Sequence, residues 1–216
     1  MPYQLPANMR NSPFRQDNYL ASMNWGYPDV PRMLDKNGSP VCDMKEGACL
    51  GLVLLYLTIN RPFKQFIEFA RSAPGRIQIS RIMDIQEIRY RAGLDDTNDV
   101  NHFMQSCGYF PAGSMTLAYL QNASTAMYLT HKIKPGFAYL FSLYSGGTTD
   151  AHVCAIKVTP NSVGGAMCYH LYDPASGEYA FYSQADLRDF INWLLENMQP
   201  VVHEFSLEAF RYFAPA

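Results

Sequence analysis

The chain lacks a hydrophobic run long enough to span a bilayer. Its longest apolar stretch, Leu50 to Ile59, is about half of what a membrane-spanning helix needs. It also lacks an excess of charge of either sign: 17 Lys and Arg face 19 Asp and Glu, a net charge of −2. Nothing in that balance attracts nucleic acid or an anionic membrane over distance, so neither partner is expected. The five cysteines, at positions 42, 49, 107, 154 and 168, are odd in number and irregularly spaced. This excludes the disulfide framework of small secreted domains and predicts reduced thiols in a reducing environment. The opening Met1-Pro2-Tyr3-Gln4-Leu5-Pro6 has no basic cluster followed by an apolar core, so no Sec-type signal peptide is expected and any export takes another route.

What is present is core-forming material. Of 216 residues, 48% are apolar and 14% aromatic against 17% charged, enough for one domain, or one domain in two lobes, with a sizeable core. Residues 1–40 are rich in Asn, Pro, Ser and Arg, with turn signals at Tyr27-Pro28-Asp29 and Lys36-Asn37-Gly38-Ser39-Pro40. They read as an extended or partly ordered leader, similar to the delivery segments of specialised bacterial secretion systems and also to ordinary N-terminal arms. Residues 41–216 read as the folded domain.

From Cys49 to Leu57 apolar residues fall on every side, which predicts a buried helix ending near Asn60-Arg61-Pro62. Further helices are expected over Phe63 to Ser72, closed by Pro74-Gly75, over Ile79 to Arg91, and, as a short piece, over Thr116 to Asn122. Asp95 to Asp99 reads as a polar loop. The second half reads as strands at 136–144, 151–158, 166–173 and 179–182, separated by Gly- and Pro-rich turns. Ser183-Gln184-Ala185-Asp186 then resembles a capping box, opening a helix to about Met198 with Leu187, Phe190, Ile191 and Leu194 on one face. A last strand runs from Val201 into Phe213. Helices first and an antiparallel meander second make an α+β layout.

Three residues could cooperate chemically. A thiol attacks carbonyls only as thiolate, and Cys49 at a helix N-terminus gains the positive end of the helix dipole. Gly47 and Ala48 before it are small enough to let a substrate backbone approach. His152 begins an apolar strand after the Ser145 to Asp150 segment, and Asp173 ends another before Pro174. If 151–158 and 166–173 are antiparallel neighbours, His152 and Asp173 fall roughly opposite each other, and a carboxylate there fixes the imidazole tautomer that a base needs. A competing arrangement gathers His152, Cys154, Cys168 and His170 as soft ligands for zinc. Strand parity opposes the two, because Cys168 and His170 share one face and Asp173 takes the other. The spacings are not those of usual zinc motifs, so no metal or other cofactor is called for.

The combination Glu46-Gly47-Ala48-Cys49-Leu50, Ala151-His152-Val153 and Tyr172-Asp173-Pro174-Ala175-Ser176-Gly177-Glu178-Tyr179 resembles the YopT-type cysteine peptidases, bacterial effectors with a papain-like core. The resemblance spans roughly residues 40 to 200, and its three short motifs are what make it specific. It implies a papain-like fold whose central helix carries the Cys, packed on an antiparallel sheet that carries the His and Asp. It implies Cys49 as nucleophile, His152 as general base and acid, and Asp173 as orienting carboxylate. It implies a protein substrate in a target cell, reached without a signal peptide, with a secretion chaperone or an immunity protein as further partners.

The chain departs from that pattern in two places. Papain-like enzymes commonly carry a Gln about six residues before the Cys as oxyanion donor, whereas Asp43 stands here, and an ionised Asp only accepts hydrogen bonds. Lys45, Asn37 or a backbone amide would have to take over. The aromatic that often follows the Cys is at best Tyr56. The same triad also serves a glutamine deamidase, a cell-wall amidase or endopeptidase, or an acyltransferase, and Asp43 leaves room for an inactive binding module. Substrate choice would rest on the loops at Arg91 to Asp99 and Ser145 to Asp150.

Overall fold

The computed structural model describes residues 10–23, 25, 30, 32–42, 44, 48–59, 61–92, 97–118, 123–145, 151–160, 167–198 and 202–212. Its centre is a seven-stranded sheet built from β1 (Arg10–Pro13), β2 (Tyr109–Ala118), β3 (Phe137–Ser145), β4 (Ala151–Pro160), β5 (Met167–Asp173), β6 (Gly177–Phe181) and β7 (Val202–Tyr212). The spatial order is β1-β6-β5-β4-β3-β7-β2, and every neighbouring pair is antiparallel. β3 through β6 form the meander expected from the turn spacing.

Alternate residues of β3, β4, β5 and β7 feed two cores, one on each face of the sheet. On one face Val153, Ala155, Tyr172, Ala138, Leu140 and Phe210 pack with α1 (Gln16–Ser22), α2 (Cys49–Thr58), α3 (Phe63–Arg71), α4 (Ala73–Arg91) and α5 (Thr97–Ser106). On the other, Cys154, Ile156, Val158 and Leu171 pack with α6 (Ala123–Lys132) and α7 (Gln184–Met198).

α2 is apolar all round because it is enclosed all round: every residue from Leu50 to Leu57 is buried. It lies between β4 on one side and α4 on the other. Gly51 permits the second contact, since a Cβ there would stand 3.0 Å from Ile79 Cγ2 and 3.1 Å from the Ile79 carbonyl. α4 begins earlier than the sequence suggests. Pro74-Gly75 does not close the preceding helix but lies in the first turn of α4, where a proline's fixed φ and missing N–H cost nothing. Ser72 caps this end by accepting from Gly75 N. α7 is opened by the expected cap, with Asp186 N donating to Ser183 Oγ at 3.0 Å, and it buries Leu187, Phe190, Ile191 and Leu194.

Elsewhere the sequence reading needs correction. Thr116 to Ala118 end strand β2 rather than begin a helix, and residues 119–122 lie outside the described ones. α5 starts at Thr97, inside the stretch read as a polar loop. Within residues 1–40, β1 pairs with β6 at the sheet edge, and Phe14, Tyr19 and Leu20 enter the core. Tyr19 donates to the Ala70 carbonyl at 2.7 Å, tying α1 to the end of α3. A buried ion pair anchors the next segment: Arg32 Nη2 lies 2.7 Å from Asp84 Oδ1 on α4, with side chains only 6% and 1% exposed.

Candidate active site

Cys49 is the first residue of α2. Ala48 before it is non-helical (φ −141°, ψ 24°), yet its carbonyl already accepts from Leu52 N at 2.9 Å. The thiol is half-buried. Burial pushes its pKa up, the backbone N–H groups of Leu50, Val153 and Cys49 itself pull it down, and the charge on Asp173 adds to the rise. The net direction is upward. The start of α2 therefore does not by itself favour a thiolate.

His152 and Asp173 stand at the same end of the sheet, on β4 and β5. His152 Nε2 lies 2.8 Å from Asp173 Oδ1. Since an ionised carboxylate only accepts, Nε2 carries the proton and Nδ1 is left as the basic nitrogen of the neutral ring. Burial alone would raise the Asp173 pKa, but the hydrogen bond and charge of His152, with donors from Ser176 and Ala175, hold it below the ordinary carboxylate value. Ala175 N donates to Oδ1 at 2.8 Å and Ser176 Oγ donates to Oδ2.

The turn that presents these donors is held from outside. Gln16 N donates to the Pro174 carbonyl at 2.8 Å, and Phe14 N donates to the Ser176 carbonyl at 3.4 Å. Gly177, at φ +116°, closes the turn, and a side chain there would strike the Ser12 carbonyl of β1. β1 and α1 thus brace the segment that carries Asp173.

The register refines the expected pairing. Ala155 faces Tyr172 and Ile156 faces Leu171, so Cys154 comes opposite Asp173 and His152 reaches it along the diagonal. The donor atoms of His152, Cys154 and Asp173 all lie within 4.8 Å of one another. Cys154 is completely buried, and burial pushes its thiol well above the ordinary value. The zinc quartet considered from sequence is divided by the sheet. Cys154 belongs to the core beneath α6 and α7, whereas Cys168 and His170 share the parity of Tyr172 and point to the opposite face.

His170 instead joins a polar group behind α2. Its Nε2 lies 3.0 Å from Thr159 Oγ1 and its Nδ1 3.4 Å from Glu178 Oε1. Tyr56 donates to the same Glu178 oxygen at 2.6 Å, and Lys157 Nζ sits 3.9 Å from the centre of the Tyr56 ring while donating to the Ile59 carbonyl at 3.2 Å. Tyr56, the aromatic expected near the Cys, therefore anchors the far end of α2. Asn37 lies in an exposed turn with its backbone N bonded to Asp35 Oδ1. Asp43, Lys45 and Gly47, and residues 93–96 and 146–150 of the two candidate specificity loops, lie outside the described residues. Sequence reasoning missed Ser176 and the Ala175 amide as partners of Asp173; an Asp starting a Pro-containing turn with Ser three residues on was the available signal.

The architecture can be compared with that of known proteins. No protein-family model matches the chain, and no curated protein does. A solved structure does: that of the Pseudomonas avirulence protein AvrPphB, at a TM-score of 0.60 and 16% identity, over 77% of this chain and 93% of that one. The chain shares its mixed helical and antiparallel fold with AvrPphB. At this identity the likeness speaks for the fold. Among the described residues, no helix is long and apolar enough to cross a membrane.

Proposed function

We propose that this chain is a papain-like cysteine peptidase of the YopT type, a bacterial effector that cleaves a protein of the cell into which it is delivered. The observation that carries the reading is the hydrogen bond between His152 Nε2 and Asp173 Oδ1, which fixes the imidazole with Nδ1 as its basic nitrogen. Cys49 supports it by standing at the start of α2 with the Val153 amide, one residue beyond His152, acting on its thiol. The fold shared with an avirulence protein supports the effector role.

In this mechanism Cys49 Sγ attacks the scissile carbonyl while His152 Nδ1 takes the thiol proton. The imidazolium is stabilised by Asp173 and returns the proton to the leaving amine, giving an acyl-enzyme. Water, activated by the same nitrogen, then releases the acid and restores the thiol. Because burial holds the thiol pKa up, the thiolate depends on the proton passing to His152 Nδ1, the ion pair that makes the sulfur nucleophilic.

The test is to incubate the chain with a eukaryotic lysate and label new protein N-termini. Discrete new termini that vanish with both Cys49→Ala and His152→Ala are expected. Termini that persist in Cys49→Ala, or release of ammonia without cleavage, would overturn the peptidase reading.

A further inference from the structure

We propose that His152, Cys154 and Asp173 form a binding site for a borderline divalent cation of the zinc type, and that this cation switches the hydrolase off. The inhibitory consequence rests on the function proposed above; the binding itself does not. Three different donors, an imidazole nitrogen, a thiol sulfur and a carboxylate oxygen, lie within 4.8 Å of one another. A tetrahedral zinc with bonds of about 2.0–2.3 Å keeps its ligand atoms roughly 3.5 Å apart. The His152–Asp173 pair has to open from 2.8 Å and Cys154 has to draw in, which are side-chain movements of about an ångström. A fourth position would be left for water, the donor pattern of an open site.

The chemistry selects the ion. A thiolate disfavours Mg²⁺ and Ca²⁺, which take oxygen ligands, and suits Zn²⁺ or Co²⁺, with imidazole and carboxylate completing an acceptable set. Entry is from the His152 side, whose side chain is 23% exposed against 10% for Asp173. Cys154, fully buried below them, is otherwise without a part in the proposed chemistry.

Protons account for the inhibition. Asp173 now receives the Nε2 proton, so a metal on Nε2 must displace it, and the neutral ring then carries its proton on Nδ1. Nδ1 is the atom proposed to accept the Cys49 proton, and once protonated it cannot do so. The Cys154 thiol loses its proton to water on binding, the imidazole exchanges one nitrogen's proton for the other's, and one proton per metal is released. The cation thus disables the base without touching the nucleophile.

The experiment adds Co²⁺ to the full-length chain and follows the near-ultraviolet charge-transfer band between thiolate and cobalt. The expected result is a saturable band that is retained in Cys49→Ala and lost in Cys154→Ala and Cys154→Ser, with folding checked by circular dichroism. Should both Cys154 variants fail to fold, His152→Gln serves, with at least a tenfold weaker Co²⁺ affinity expected. Absence of the band, its persistence in a folded Cys154 variant, undiminished affinity in His152→Gln, or its loss in Cys49→Ala would overturn the site. A band that follows Cys154 in a chain whose Cys49 proves unreactive would leave the metal site standing and remove the hydrolase.

Discussion

His152 reaches Asp173 diagonally across β4 and β5, with Nε2 2.8 Å from Oδ1, while Cys154 occupies the position directly opposite the carboxylate. This bond is therefore formed between residues at the ends of two strands, with His152 the more exposed partner and Asp173 in the buried turn. Asp173 is held there by Ser176 and Ala175 as well as by His152.

Replacing Asp173 by Asn should keep the shape and lose the tautomer. An amide can offer Nδ2–H to the ring as readily as it can accept from it, so Nδ1 is no longer reliably the basic nitrogen. Turnover of any cleaved substrate should fall by about 10²- to 10⁴-fold, with a smaller change in KM. Ser176→Ala, which removes one of the donors to Asp173, should fall by much less. Equal losses for the two variants would contradict the orienting role.

Acid should remove the stabilisation that this pair contributes. The folded-state pKa of Asp173 is lowered, so its contribution is fully present above the unfolded value near 3.9 and is lost as pH falls through the folded value. In urea unfolding, Asp173→Asn should lie below the natural chain at pH 7, and the gap should close under acid conditions. A gap independent of pH would locate the effect in packing.

The Arg32–Asp84 pair should behave as a buried ion pair. Asp84 also accepts from Met33 N at 3.0 Å, so Asp84→Ala strands a guanidinium and a backbone donor together. A loss of about 3–5 kcal/mol is expected, and the double variant Arg32→Met with Asp84→Leu should recover most of it. Denaturant midpoints decide the matter.

Behind α2, Lys157 and His170 should give opposing pH dependences. Burial lowers Lys157 to about 7 against the pull of Glu178, so the unfolded chain binds more protons from about pH 7 to 10.5 and stability rises with pH across that range. Burial also opposes the charge on His170, but Cys168 and Glu178 outweigh it and raise the group to about 9. Its contribution is complete below pH 6.5 and is lost as pH rises through 9. The two slopes offset one another between about pH 7 and 9. Lys157→Met should expose the His170 slope, with stability falling steadily over that interval; an unchanged profile would contradict the assignment.

The elements that carry the candidate residues were largely legible because they announce themselves locally. The unbroken apolar run of α2, the capping box of α7 and the Pro174-to-Gly177 turn are short-range signals, and they set the helix that begins at Cys49 and the strands bearing His152 and Asp173. Strand parity divides the zinc quartet as expected, since Cys168 and His170 share the face of Tyr172 and point away from Cys154. What escaped depends on distant contacts. α1 is polar in sequence and ordered by burying Tyr19 and Leu20 against the helical core. β2 contains Pro111 and Gly113, which argue against a strand. It survives as an edge strand with a register shift between those two residues, paired on one side with β7. The strand register, which lies two residues from the expected pairing, was enough to change which side chain faces Asp173.

The measurement that bears most directly on the proposed thiol chemistry is the rate of Cys49 alkylation by iodoacetamide across pH, read by mass spectrometry in the natural chain and in His152→Ala. The account predicts labelling of Cys49 well below the ordinary thiol range in the natural chain. In His152→Ala the profile should move above that range, because burial then acts on the thiol without a base to offset it. Superimposable profiles in the two proteins, rising only with ordinary thiol ionisation, would contradict it.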